Sequence, residues 1–146
     1  MPRPPVEECR TARPIRINTN EILYIRSRAG LETCCYFDGL DIAFDIGCLF
    51  GRVKTKRNVF ISHGHIDHIG AIAQHAARRQ LHNLPVANYY VPESLVCRVE
   101  SLLQSYFQLQ EVRARLYTLL SIHRSKSYRT PFHMLLFPLP RAKCTH

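Results

Sequence analysis

The chain has 146 residues, of which 46% are hydrophobic and 21% charged, a composition typical of one soluble globular domain. No stretch approaches 18 consecutive apolar residues, and prolines and arginines stand where a secretory signal would need an apolar run, so neither a membrane span nor a signal peptide is predicted. The formal net charge of +9 comes from the two ends, because residues 20–111 hold nine basic and nine acidic side chains. Basic ends therefore account for the charge, and composition alone does not establish a nucleic-acid-binding surface.

The order of predicted elements is strands first, then alternating strands and helices, which indicates an α/β fold. Apolar and β-branched runs predict the strands, and apolar residues at helical spacing, with Asp67 and Ser94 as N-caps, predict the helices. The predicted elements are a hairpin at residues 22–26 and 33–37, strands at 40–47, 58–62 and 86–91, and helices at about 69–80 and 94–107.

The residues after Glu111 differ in composition from those before it. They hold seven basic and no acidic side chains, and prolines bracket a short apolar patch at residues 132–137. Leu116, Leu119 and Leu120 allow a helical extension, but the pattern predicts no definite element. We therefore expect three regions: a disordered Arg- and Pro-rich extension (1–16), an α/β body (17–111) and a basic, irregular, divergent tail (112–146).

The six cysteines show no regular spacing and form no Cys-x-x-Cys pair. Cys34 and Cys35 are adjacent on a predicted strand, so their side chains point to opposite faces and are poorly placed to bridge each other. Reduced thiols, as in an intracellular compartment, are the expected state.

The segment from Ser62 to Gly70 reads Ser-His-Gly-His-Ile-Asp-His-Ile-Gly and contains four candidate metal ligands within six residues. A helix cannot aim His63 and His65 at one ion, because two-residue spacing places them on different faces. A loop at the end of a strand can turn both inward, with Gly64 supplying the backbone freedom. Asp67 and His68 would then address a second ion as the oxygen and nitrogen ligands of a borderline metal. The sequence therefore predicts a metal centre rather than a metal-free histidine-rich loop.

The motif His63-x-His65-x-Asp67-His68 resembles the signature of the metallo-β-lactamase superfamily of binuclear zinc hydrolases. Neighbouring segments are similar to those of short-form ribonuclease Z, the endonuclease family that trims the 3′ ends of tRNA precursors. The likeness covers roughly residues 17–110, the N-terminal half of such a domain, and its flanking matches are residues 30–34, 42–47, 60–63, 68–70, 91–93 and 99–102.

The resemblance implies a metallo-β-lactamase-like αββα sandwich, of which this chain holds the first half. His63 and His65 would hold one zinc ion, and Asp67 and His68 the other. Asp67 would also be the catalytic residue that orients or deprotonates the attacking water. Asp45 would support the metal-binding loop, although an aspartate ahead of Gly47 is equally typical of a plain turn. The implied substrate is a tRNA precursor, a homodimer is compatible with the resemblance, and the implied location is the cytosol or nucleus, with an organelle left open.

The motif supplies two protein ligands to each ion, whereas a catalytic zinc ion usually has three and a water. The resembled family completes the set with two histidines and a bridging aspartate, and this chain has no aspartate after Asp67. His133, which follows a Thr and an aromatic residue, is the candidate for a further ligand. His75 lies seven residues beyond His68, about 10.5 Å along a helix, and is predicted to be a solvated surface residue. We therefore expect a truncated site and an inactive chain.

Three interpretations stay open at this point. The first is a zinc-dependent metallohydrolase or part of one, most simply a tRNA 3′ processing endoribonuclease, with a thioester or lactam hydrolase as the rival within the enzyme class. The second is a non-catalytic metal- or RNA-binding remnant whose basic tail contacts phosphates. The third is a chain that does not fold stably, because half a sandwich exposes a sheet face.

Overall fold

The computed structural model describes residues 12–111 and 117–122 in full and the backbone of residues 136–138. The strands in these residues form one mixed sheet of eight, arranged in the order of the chain. Neighbouring strands are antiparallel from β1 to β4, parallel from β4 to β7, and antiparallel again between β7 and β8. The strands are β1 (Arg13–Arg16), β2 (Ile22–Arg28), β3 (Glu32–Phe37), β4 (Ile42–Phe44), β5 (Asn58–Phe60), β6 (Ala87–Pro92), β7 (Tyr117–Ile122) and β8 (Leu136–Pro138).

The α-helices lie in the connections from β5 to β6 and from β6 to β7. Parallel neighbours need such a crossover connection, which is usually helical. The helices are α1 (Ile66–Ile69), α2 (Ile72–Leu81) and α3 (Val96–Leu109), with short 3-10 turns at Val53–Thr55 and Glu93–Leu95. The α/β class predicted from the sequence is confirmed, and the predicted hairpin is the pair β2 and β3. No helix in the described part of the chain is long and apolar enough to cross a lipid bilayer.

One face of the sheet packs against the helices and forms the hydrophobic core. Val59 pairs across the sheet with Ala43 on one side and Tyr89 on the other, and Leu119 continues this buried row. The inward side chains of α2 and α3 join the same hydrophobic cluster. Alternate residues of the strands point to the other face, where Phe44 is 44% exposed. A single sheet covered by helices on one face is consistent with one half of an αββα sandwich.

The sheet extends past both ends of the predicted body. The extension predicted to be disordered includes Arg13–Arg16, but these residues pair with β2 as strand β1. Tyr117–Ile122 was expected at most to extend a helix, but it forms β7 alongside β6, with every second side chain buried. A short apolar run fits either element, and the free edge of β6 decides in favour of the strand.

Two predicted N-caps are wrong. Asp67 does not cap a helix, because α1 already begins at Ile66 and the N-cap position belongs to His65. Ser94 lies inside a 3-10 turn that precedes α3, whose N-cap position is Leu95. In neither helix does a side chain cap the first turn.

The prediction that His75 is a solvated surface residue is also wrong, because His75 is fully buried on α2. Its Nδ1 lies 2.7 Å from the Tyr89 hydroxyl and its Nε2 lies 3.2 Å from the Val53 carbonyl oxygen. Both ring nitrogens are therefore satisfied inside the core, which is what allows an imidazole to be buried there.

The cysteines in the described residues form no disulfide with one another: Cys34, Cys35, Cys48 and Cys97. Cys34 is buried in the core while the adjacent Cys35 is only partly buried, in keeping with their opposite orientations on β3.

Candidate metal centre

The histidine-rich loop follows β5, which lies between its parallel neighbours β4 and β6. The Ile61 N–H donates to the Tyr90 carbonyl at 2.8 Å and keeps the chain in the sheet until just before Ser62. The next residues leave the sheet and enter α1 at Ile66. The motif therefore stands at the carboxyl edge of a central strand, where side chains of open α/β sheets commonly gather into ligand sites.

The structure brings the predicted ligands into one cluster. The ring centroid of His63 lies 4.5 Å from that of His65 and 4.0 Å from that of His68. The Nε2 of His68 lies 3.5 Å from the Oδ2 of Asp67. His65 is exposed, His63 and His68 are partly buried, and Asp67 is buried.

Asp45 supports this cluster from the end of β4. It is buried and has a positive φ of 55°, which turns its carboxylate toward the loop. The Ser62 N–H donates to Oδ1 at 2.8 Å, the Ser62 hydroxyl also donates to the carboxylate, and the Nδ1 of His68 lies 2.9 Å from Oδ2. Of the two readings of Asp45, the contacts favour the loop support over the plain turn residue.

Asp67 is held by the β2–β3 hairpin. The N–H of Gly30, which adopts a positive φ of 72° in the hairpin turn, donates to the Oδ2 of Asp67 at 3.1 Å. The neighbouring His68 carbonyl accepts a hydrogen bond from the Ile46 N–H at 2.6 Å. Two different parts of the sheet therefore fix the position of this carboxylate and of the chain beside it.

The donor set of the cluster, three imidazoles and one carboxylate, fits zinc. Within residues 12–111 and 117–122, however, no three His, Cys, Asp or Glu side chains form a group arranged to hold an ion by themselves. The side chains present thus have the donor types of a zinc site but form only part of one. His133, the further candidate, lies outside the described residues.

Sequence reasoning noted Ser62, Gly30 and Gly47 but assigned them no role in this site. Ser62 immediately precedes the first histidine, and its hydroxyl lies 2.9 Å from the Nδ1 of His63. Gly47 has no room for a side chain, because the backbone carbonyl of Asp67 passes where its Cβ would be. The adjacency of Ser62 to the motif was a visible signal, whereas the contacts of the two glycines depend on the tertiary fold.

Comparison with known proteins gives three similar proteins from plants. The chain is 41% identical to tRNase Z TRZ1 of Arabidopsis thaliana over 83 residues, which are 57% of this chain and 30% of the relative. It is 37% identical to the chloroplastic tRNase Z TRZ2 of the same plant over 86 residues, 59% of this chain and 24% of the relative. It is 42% identical to the nuclear ribonuclease Z of Triticum aestivum over 76 residues, 52% of this chain and 43% of the relative.

The matched region spans between about a quarter and less than half of the length of these relatives. No protein-family model matches the chain. The predicted resemblance to ribonuclease Z, in the metallo-β-lactamase superfamily, is confirmed for somewhat more than half of the chain.

Proposed function

We propose that this chain carries the first metal-binding half of a zinc-dependent endoribonuclease that hydrolyses tRNA precursors on their 3′ side. The observation that supports the proposal most directly is the cluster of His63, His65, Asp67 and His68 at the carboxyl edge of β5. Relatives with 37–42% identity carry the names tRNase Z and ribonuclease Z, which favours RNA over a thioester or lactam as the substrate.

Each residue has a proposed role. His63 and His65 would hold one zinc ion, and Asp67 and His68 the other. When bound, a pair of zinc ions supplies Lewis acidity for the phosphate and activates water at neutral pH. Asp67 would orient or deprotonate the attacking water, and the Gly30 N–H on its Oδ2 holds its carboxylate in place for that role.

We also propose that the 146-residue chain by itself has no appreciable ribonuclease activity. Two ligands for each ion fall short of the three that catalytic zinc usually has, and no aspartate follows Asp67 to bridge the ions. Losing residues that merely support metal ligands costs 10–100-fold in affinity or activity, so missing ligands should cost more. The complete form would carry the remaining ligands in a second half of the domain.

The proposed partner is a tRNA precursor, and a homodimer is compatible with this proposal. The proposed location is the cytosol or nucleus, with an organelle left open, since one relative is named nuclear and another chloroplastic. A remnant that only binds RNA would show binding that falls steeply with salt and no cleavage.

The test is a cleavage assay on one tRNA precursor at fixed salt, comparing three proteins: the chain, a version extended with the second half of a relative, and the extended Asp67→Ala variant. We expect zinc-dependent 3′ cleavage by the extended protein only. Cleavage by the short chain that Asp67→Ala abolishes would overturn the incomplete-site proposal. An extended protein that hydrolyses a thioester and not RNA would overturn the choice of substrate.

A further inference from the structure

We propose that Ser62 is a positioning residue for His63, so that a single carboxylate, Asp45, sets the tautomer of two proposed zinc ligands. Asp45 acts directly on His68 and, through the Ser62 hydroxyl, on His63. The inference deepens the proposed function, because the tautomer decides which ring nitrogen is free to bind zinc.

The direct contact follows from what each group can donate. A carboxylate only accepts hydrogen bonds, so the contact of 2.9 Å between the Nδ1 of His68 and the Oδ2 of Asp45 requires a proton on Nδ1. A neutral imidazole carries one such proton, which leaves the Nε2 of His68 with its lone pair. That Nε2 is the atom lying 3.5 Å from Asp67, on the side of the proposed second zinc ion.

The indirect contact runs from Asp45 through the Ser62 hydroxyl to His63. The Ser62 hydroxyl lies 2.8 and 2.9 Å from the two oxygens of Asp45, and its only proton goes to that carboxylate. The hydroxyl oxygen can therefore only accept, and the Nδ1 of His63 lies 2.9 Å away. The Nδ1 of His68 is farther from this oxygen, at 3.4 Å, and lies closer to Asp45, at 2.9 Å. His63 must carry its proton on Nδ1 as well, and its Nε2 is left free.

Ser62 stays in place because its backbone is bound to the same carboxylate. Its N–H donates to the Oδ1 of Asp45 at 2.8 Å, and Asp45 itself is buried. The contact between Ser62 and His63 is exposed, so water competes with it and its influence on the ring is weaker than that of Asp45 on His68. His65 is exposed and serves as the reference ring in the same loop.

The test is the tautomer of each ring in the metal-free chain, read from long-range proton–nitrogen NMR spectra of protein labelled with ¹⁵N at histidine. The spectra of all proteins are recorded at the same mildly alkaline pH. We expect the largest Nδ1–H population for His68, a smaller one for His63, and the smallest for His65, since Nε2–H is favoured in water. A His63 ring that matches His65 would overturn the proposal, whether or not any variant folds.

Variants separate the two contacts. Ser62→Ala should return His63 to the tautomer mixture of His65 and shift His68 much less, because the Nδ1 of His68 keeps its closer contact of 2.9 Å with Asp45 when the Ser62 hydroxyl, 3.4 Å away, is lost. Ser62→Thr, which keeps a hydroxyl, should preserve the native pattern. Asp45→Asn should shift both rings, and Asn tolerates the positive φ at this position. Ser101→Ala, on the exposed surface of α3, is the matched control and should change neither ring. A His63 tautomer unaffected by Ser62→Ala would contradict the relay.

Zinc binding gives a second readout. In competition with a chromophoric chelator, Ser62→Ala should weaken zinc binding about 10-fold and Ser62→Thr much less, in line with the cost of losing a group that orients a ligand. If the native chain shows the expected tautomers but binds no zinc, the proposed function fails and the assignment of Ser62 stands. If zinc binds but the tautomers do not depend on Asp45 and Ser62, the assignment of Ser62 fails and the proposed function stands.

Discussion

The backbone carbonyl of Asp67 lies where a side chain on Gly47 would stand. The N–H of Gly47 donates to the Thr33 carbonyl at 2.8 Å, so the same residue also joins the hairpin strand β3. The Ile46 backbone beside it donates to the His68 carbonyl at 2.6 Å and accepts from the Ala71 N–H at 2.9 Å. The absence of a side chain at position 47 is what lets the histidine-rich loop pack directly on the end of β4.

Gly47→Ala should therefore destabilise the chain and displace the loop. A methyl group at this position meets backbone on two sides, which cannot move aside as a side chain can, and overpacking of this kind costs about 1–3 kcal/mol. Urea unfolding measures the loss. Gly64→Ala is the control in the same loop. Gly64 was predicted to supply backbone freedom, but it does not have a positive φ, and a Cβ there meets only the end of the Leu95 side chain at 3.2 Å. Equal stability of the two variants would contradict this account of Gly47.

Two adjacent arginines on α2 should differ sharply in their effect on stability. The Arg79 side chain is buried and donates to the Pro85 carbonyl at 3.0 and 2.8 Å and to the Lys54 carbonyl at 3.0 Å. Arg79→Ala leaves these carbonyl groups without their donor and should cost about 2–4 kcal/mol. Arg78 is exposed, and Arg78→Ala should change the free energy of unfolding by less than about 0.5 kcal/mol. Thermal unfolding of the pair checks the difference, and similar values would refute it.

Buried His75 should make the fold sensitive to mild acid. Burial, assisted by the nearby positive charge of Arg79, lowers the pKa of His75 to about 4, below its ordinary value of 6.5. Between these two values the unfolded chain binds a proton at His75 that the folded chain does not. The free energy of unfolding is therefore highest above pH 6.5 and falls as the pH drops toward 4, by about 3 kcal/mol in all. His75→Gln should flatten this part of the profile of unfolding free energy against pH, whereas His82→Gln, at the exposed end of α2, should leave it unchanged. An unaltered slope in His75→Gln would contradict the assignment.

The alternation of apolar residues was enough to predict the hairpin of β2 and β3 and the central strand β5. The clustering of the candidate ligands was also predictable, because these residues are adjacent in the sequence and the strand before them is distinct. The burial of His75 was not predictable, because its partners Tyr89 and Val53 come from other elements. The sequence around a single histidine does not indicate such partners. Strand β7 shows the same limit: its short apolar run favours no element until the open edge of β6 is known.

The supporting role of Ser62 and the fit of Gly47 belong to the same class of tertiary features. Ser62 depends on Asp45, which is 17 residues away in the chain and follows β4. Gly47 depends on Asp67, which lies in α1. Local sequence patterns report faces and periods within one element, and they contain no information on which element lies next to it.

Zinc should bind this chain through His63, His65, Asp67 and His68, but more weakly than it binds a complete site. In the proposed arrangement each ion would have two of the usual three protein ligands and would exchange readily with solvent. Elemental analysis before and after dialysis against a mild chelator measures this, with the His63→Ala and Asp67→Ala variants to show which ligands are used. His82→Ala, an exposed histidine remote from the motif in the sequence, is the control and should not alter the zinc content. Retention of two equivalents of zinc after dialysis would show that further ligands exist, and His133→Ala would be the first substitution to make. No zinc uptake before dialysis, in a folded chain, would contradict the metal centre itself.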